Sequence, residues 1–373
     1  MMVAEAQAFG VSYSSSNDIH PDAELYDLRI GEPKISPFPS EVFAELKNNK
    51  NINSYYPSHG DLNLREMIIE KYYSQGTVNN IAITHGAIGA CDFIFRSILN
   101  KDTEILLPDP GFPPYVKMAE FAQSKIIKYP INLLPGSRTS IHWDQLENLI
   151  TAKTKIILLN SPHNPTGKVF TPTDRDHFKS IILKYPHINF IMDEVYRDLI
   201  YKDNIHFDFS EHVNSGFIVG SFSKVFPLQG ARIGWILTST NNIKKLSPYL
   251  NYAAGAMSSF GQEIAKSVLI KKLDYGKYYF DALLFATKIL DSYQVDYIEP
   301  EGAFFIFIKY SRNDIVITQE LSELGIGVVP GSSFGSNGTS YIRLSFAQIP
   351  KVLEKSMHII GRHWKKTHSK VKQ

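Results

Sequence analysis

The chain has 373 residues, a formal net charge of +2, and 43% hydrophobic against 20% charged residues. This is the composition of a globular protein rather than a disordered one, and the near-neutral charge argues against coating nucleic acid. The length exceeds one small core and implies two or three domains, or one large α/β unit with an appended lobe. The single cysteine, Cys91, excludes an internal disulfide, disfavours a cysteine metal site and fits a reducing compartment. The opening MMVAEAQAFGVSYSSSND lacks the basic start and apolar core of a signal peptide. No apolar run reaches the about 18 residues that a membrane span needs. A cytoplasmic protein without a membrane or nucleic-acid partner is expected.

Residues 1–40 are irregular and rich in Ser, Pro and Asp, and are expected to form an arm and part of a small domain. Then short apolar runs recur: IAIT (81–84), EILL (104–107), KIILLN (155–160), INFIMDE (188–194), GFIVGSFS (216–223) and RIGWIL (232–237). They are β-branched or aromatic and apolar on both faces, which predicts central strands of a mostly parallel sheet covered by helices. Helical patterns lie between them, at AIGACDFIFRSILN (87–100) and at TPTDRDHFKSIILKY (171–185), the latter entered by Thr-Pro. A large domain over 41–260 is expected. From 261 to 373 the texture changes: one long helix from about Gly261 to Tyr293, a strand at FFIFIK (304–309), a helix near ITQELSELG (317–325) and a strand at SYIRLSF (340–346). This predicts a smaller α+β domain. The basic tail GRHWKKTHSKVKQ reads as a solvated, frayed end rather than a binding arm.

In open α/β sheets ligands bind beyond the carboxyl ends of the strands. The polar residues there are His85 and Gly86, Asn160 to Gly167, Asp193 to Tyr196, and Ser221 to Lys224. An aspartate, a tyrosine, an asparagine and a lysine thus converge on one edge. Desolvation lowers a lysine's pKa and suits it for attack on an aldehyde. The 12 histidines show no H-x-x-x-H or H-E-x-x-H spacing, so no metal is expected.

The order N-S-P-H-N-P-T-G (160–167), D-E-V-Y (193–196), S-F-S-K (221–224) and G-A-R-I-G (230–234) resembles the fold type I, pyridoxal 5'-phosphate (PLP) dependent enzymes of the aminotransferase class I/II superfamily. The resemblance runs from about Asp27 to Phe346. It implies an α/β aminotransferase-like fold and transamination of an L-α-amino acid to a 2-oxo acid. It further implies that Lys224 holds PLP and shuttles the proton at Cα. Asp193 would pair with the pyridine nitrogen and keep the ring an electron sink, with Tyr196 and Asn164 at the ring oxygen. Gly86, Ala87 and Ile88 at a helix start, with Ser221, Ser223 and Arg232, would receive the phosphate. Phe112, in DPGFPPY, would stack on the ring. Tyr55, with Tyr56 as the alternative, would reach the phosphate of a neighbouring subunit in a homodimer with shared sites. Gly31 would let the backbone approach the substrate, and Arg343, with Asn164, would clamp its α-carboxylate.

Three features depart from the pattern: no N-terminal helix is evident, Arg29 precedes Gly31, and NYAAGAMSSFGQE (251–263) has no arginine for a side-chain carboxylate. THGA (84–87) and SSSN (14–17) carry a fainter likeness to PLP cyclases of the capreomycidine synthase type, which act on hydroxylated arginine. Elimination or cyclisation is therefore the alternative to transamination. A regulator built on the same fold is disfavoured, because residues 1–26 are too few for a DNA-binding domain and Lys224, Asp193 and Arg343 are all kept.

Overall fold

The apolar runs fold as strands of one seven-stranded sheet. The computed structural model describes residues 26–34, 42, 46, 49–134, 137, 139–201 and 204–369; of the expected N-terminal arm over 1–40, only 26–34 falls among them. There Tyr26–Asp27 is β1. The large sheet comprises β2 (Ile81–His85), β3 (Glu104–Asp109), β4 (Lys125–Pro130), β5 (Thr154–Asn160), β6 (Asn189–Asp193), β7 (Gly216–Ser221) and β8 (Ile233–Thr238), in the order β2-β8-β7-β6-β5-β3-β4. Pairing is parallel except at β8, which runs antiparallel to both β2 and β7.

The inversion of β8 matters for the site. It brings the start of β8 to the edge where β2 and β7 end, with His85 opposite Ile233 and Ser221 opposite Gly234. Arg232 therefore is not inside a strand, as RIGWIL implies. It precedes β8 in a left-handed conformation (φ 55°).

β4 escapes the sequence criterion for a physical reason. It is an edge strand, partly exposed, with a lysine at each of two positions, so it is not apolar on both faces. The helix at 171–185 forms over Pro172–Lys184, with Thr171 and Asp174 capping each other reciprocally. The single long helix expected from Gly261 to Tyr293 is instead two, Ser259–Ile270 and Gly276–Ser292. Lys272 between them takes a left-handed conformation, and the Asp274 carboxylate accepts from the Gly276 amide. The tail is not frayed as far as it is described: Pro350–Ser369 is helical, and the Trp364 indole donates to the Lys309 carbonyl at 2.9 Å.

The second sheet is antiparallel. It holds β9 (Tyr297–Ile298), β10 (Phe305–Lys309), β12 (Val329–Pro330) and β13 (Tyr341–Ser345), in the order β12-β13-β10-β9, while β11 (Ile326–Gly327) pairs with β1. Arg343 on β13 lies between Phe307 on β10 and Val329 on β12. The two sheets are tied across the site. Lys168 Nζ meets Glu301 at 2.9 Å, and Asp109, ending β3, accepts from the Ser336 hydroxyl at 2.7 Å and the Asn337 amide at 3.0 Å. Among the described residues, no helix is long and apolar enough to cross a membrane.

Candidate active site

A cavity of about 520 Å³ opens at the edge where the parallel strands end. Of the cofactor and substrate residues that the resemblance implies, all line it except Gly86 and the Tyr55/Tyr56 pair. Its floor is set by strand register: Asn160 lies opposite Asp193, and Asp193 opposite Val219.

Lys224 sits three residues past β7. Its Nζ donates to the Gly31 carbonyl at 2.7 Å, and its own carbonyl accepts from the Tyr279 hydroxyl at 3.0 Å. Desolvation, with the positive charges of Arg343 and Arg232 behind it, lowers its ammonium to about 8. A substantial neutral fraction at mild pH makes this amine a nucleophile.

Asp193 is buried at the end of β6. It accepts from the Tyr115 hydroxyl at 2.5 Å and from the Val195 amide at 3.1 Å. Burial raises its carboxyl to about 6, and the Tyr115 bond works against that rise. Tyr115 is a site residue that sequence reading missed, although it stands three residues after Phe112. Asn160 is a second positioning group: its amide donates to the Asp193 carbonyl at 3.0 Å and accepts from the Asn164 amide at 2.9 Å. Tyr196 is buried edge-on against Phe304 and Phe305.

The opposite end of the cavity is built for an anion. The helix Gly86–Ile98 starts there with no side-chain cap, so its first amides are free to point at a ligand. Gly86 has φ 67°, and a Cβ on it would lie 2.8 Å from Arg232 Nη2. A Cβ on Gly234 would lie 2.8 Å from the Ala87 nitrogen. Glycine at 86 leaves room for the guanidinium, and glycine at 234 lets β8 pass close against the backbone of the helix start. Ser221 Oγ donates to Ser223 Oγ at 3.0 Å beside it.

Arg343 is buried between the rings of Phe305 and Phe334. It donates to Asn164 Oδ1 at 3.0 Å and to the Arg29 carbonyl at 2.6 Å, while its Nε is buried without a partner among the described residues. Arg29 thus contributes a backbone acceptor, and its side chain pairs with Asp27 at 2.9 Å. Burial lowers Arg343 to about 10, so it remains charged at neutral pH. Phe112 lies edge-on to Tyr115 at the cavity wall.

Tyr55 is 96% exposed and outside its own chain's cavity, whereas the Tyr56 hydroxyl is tied to Glu263.

The donor set fits PLP. A nucleophilic lysine could take its aldehyde, a buried carboxylate its pyridine N–H, and uncapped amides, two serines and an arginine its phosphate. An α/β edge with this set defines a fold type I PLP-dependent enzyme. Comparison with known proteins carries this further: residues 23–355 match the model of the family described as aminotransferase class I and II. A probable aspartate aminotransferase of Methanocaldococcus jannaschii is 29% identical, with 91% of this chain and 93% of that protein covered. The aromatic aminotransferase structure from Pyrococcus horikoshii superposes with a TM-score of 0.84 at 27% identity, covering 92% of this chain and 96% of that one. Aspartate aminotransferase from Thermus thermophilus with maleate shares the fold, with a TM-score of 0.85 at 22% identity and coverage of 97% and 96%. The chain belongs to the aminotransferase class I and II family and is a PLP-dependent aminotransferase.

Proposed function

We propose that Lys224 would hold PLP through its ε-amine and that the same amine would take up and return the proton at the substrate Cα. The observation that carries this is an amine held at 2.7 Å from the Gly31 carbonyl, lowered to about 8, in the cavity that also contains Asp193 and Arg343. Bound PLP supplies a protonated pyridine ring that absorbs the electrons left at Cα. Asp193 keeps the ring nitrogen protonated, and Tyr115 keeps Asp193 ionised and in place. Tyr196 and Asn164 hydrogen-bond the ring oxygen, with Asn164 also fixed by Arg343. Gly86, Ala87, Ile88, Ser221, Ser223 and Arg232 hold the phosphate, and Phe112 stacks on the ring.

Arg343 clamps the α-carboxylate beside Gly31. Its guanidinium, preset by the bonds to Asn164 and the Arg29 carbonyl, is a planar fork suited to a planar anion. Clamping one end of the substrate restricts rotation about Cα, so that its C–H bond points to the Lys224 amine. Tyr55, exposed in one chain, completes the phosphate site of a second copy in a homodimer. The chain divides into a large domain over 41–260 and a small one over 261–373, with residues from 1–40 joining the small one; the pairing of β1 with β11 supports that division. A cytoplasmic location rests on the single, reduced Cys91.

The test is a half-reaction. Holoenzyme mixed with amino acids, without any 2-oxo acid, should convert its cofactor to the amine form while one 2-oxo acid appears per site. Return of unchanged PLP, with substrate losing water or another leaving group, would refute transamination in favour of elimination or cyclisation.

A further inference from the structure

We infer that the cavity selects amino acids with an apolar or aromatic side chain and rejects those carrying a distal carboxylate, which rests on the placement of cofactor and α-carboxylate proposed above. Among the described residues lining the cavity, the cations are Lys224, Arg232 and Arg343. Each already has a place, at the aldehyde, the phosphate and the α-carboxylate. The wall left for the substrate side chain is Ile30, Ile88, Met118 and Phe334, with two polar residues, Glu32 and Gln229.

Those two polar residues present acceptors. Glu32 takes hydrogen bonds from Lys34 Nζ at 2.9 Å and from Gln229 Nε2 at 3.0 Å. These two bonds also hold its carboxyl below the ordinary range, so it is ionised at neutral pH. Gln229 Oε1 is buried and has no partner among the described residues. Lys34 is bonded to Glu32 and does not line the cavity. The 251–263 segment, which reads as a site for a side-chain arginine, contains none.

A distal carboxylate entering here would lose its water and meet a negative charge and a carbonyl dipole, with no unassigned cation to pair with among the described lining residues. An aliphatic or aromatic side chain loses nothing comparable and buries its surface against Ile30, Met118 and Phe334. A ring ending in a hydroxyl or N–H could also donate to Gln229 Oε1. The relatives carry both aspartate and aromatic names; this wall has the chemistry of the second.

The test titrates holoenzyme with two unreactive analogues, maleate and 3-phenylpropionate, and reads binding from the cofactor absorbance and by calorimetry. The Kd for 3-phenylpropionate should be roughly ten-fold or more below that for maleate. Glu32→Gln should narrow the gap by improving maleate binding. Equal or tighter binding of maleate to the wild type overturns the selectivity, and an unchanged ratio in Glu32→Gln overturns the role of Glu32. Borohydride fixation of the same preparation separates the two levels. PLP fixed on Lys224 together with tight maleate binding refutes the selectivity alone, whereas no link at Lys224 refutes the placement beneath it.

Discussion

Replacing Tyr115 by Phe removes one hydroxyl and leaves the ring. That hydroxyl lies 2.5 Å from Asp193 Oδ2, in a buried setting, and its loss leaves the Asp193 carboxylate, among the described residues, the Val195 amide. A hydrogen bond to a charged group contributes about 1.5–3 kcal/mol. At about 1.4 kcal/mol per pKa unit, its loss should raise the Asp193 carboxyl by roughly one to two units. The sign of the pH dependence follows from the starting point. Asp193 titrates at about 6 in the fold against an ordinary value of 3.8, raised by burial. Between those values the folded chain holds a proton that the unfolded chain has released. The group's contribution to stability therefore falls as pH rises from about 4 to 6 and stays low above that. Tyr115→Phe extends this penalty upward. In protein stripped of PLP, its destabilisation should be about 2 kcal/mol at pH 8 and should shrink to well under half of that near pH 4, where the carboxyl is protonated in the folded wild type and the folded variant alike. Urea unfolding of wild type and variant at the two pH values reads this directly. An equal loss at both would mean that Tyr115 acts by packing, and would refute its role in keeping Asp193 ionised.

Three further outcomes follow from the same geometry. Gly86→Ala must place a Cβ 2.8 Å from Arg232 Nη2 at φ 67°; it should cost about 1–2 kcal/mol of backbone strain and weaken PLP binding in equilibrium dialysis, with the remainder of the fold intact by circular dichroism. Arg343→Ala should raise the Kd of 3-phenylpropionate by about ten-fold or more while PLP affinity holds nearly constant; equal losses in the two titrations would move Arg343 out of the substrate site. Glu301→Ala strands Lys168, a mostly buried cation, and removes the acceptor of the Val169 amide; thermal or urea unfolding should show a loss of about 3 kcal/mol.

The strands and the cavity edge were legible because chemistry and burial coincide there. β5, β6 and β7 are apolar on both faces and end in Asn160, Asp193 and Ser221, so a change from apolar to polar marks both the strand end and the site. β4 was not legible, because an edge strand needs only one covered face. The break at Lys272 was hidden since helical periodicity runs across a single left-handed residue. Arg232 was identified but misplaced: its conformation depends on β8 running against its neighbours, which no local pattern records. Tyr115 was missed because its role comes from a hydrogen bond to Asp193, 78 residues away in sequence. The different surroundings of Tyr55, which is exposed, and Tyr56, which is bonded to the distant Glu263, were likewise invisible in sequence.

The most direct test of the account is where PLP is attached. Borohydride reduction of holoenzyme, followed by proteolysis and mass mapping, should place one pyridoxyl adduct on the peptide containing Lys224, and Lys224→Ala should carry none. An adduct on another lysine, or one that survives in Lys224→Ala, would contradict the assignment of Lys224 and with it the site built around that residue.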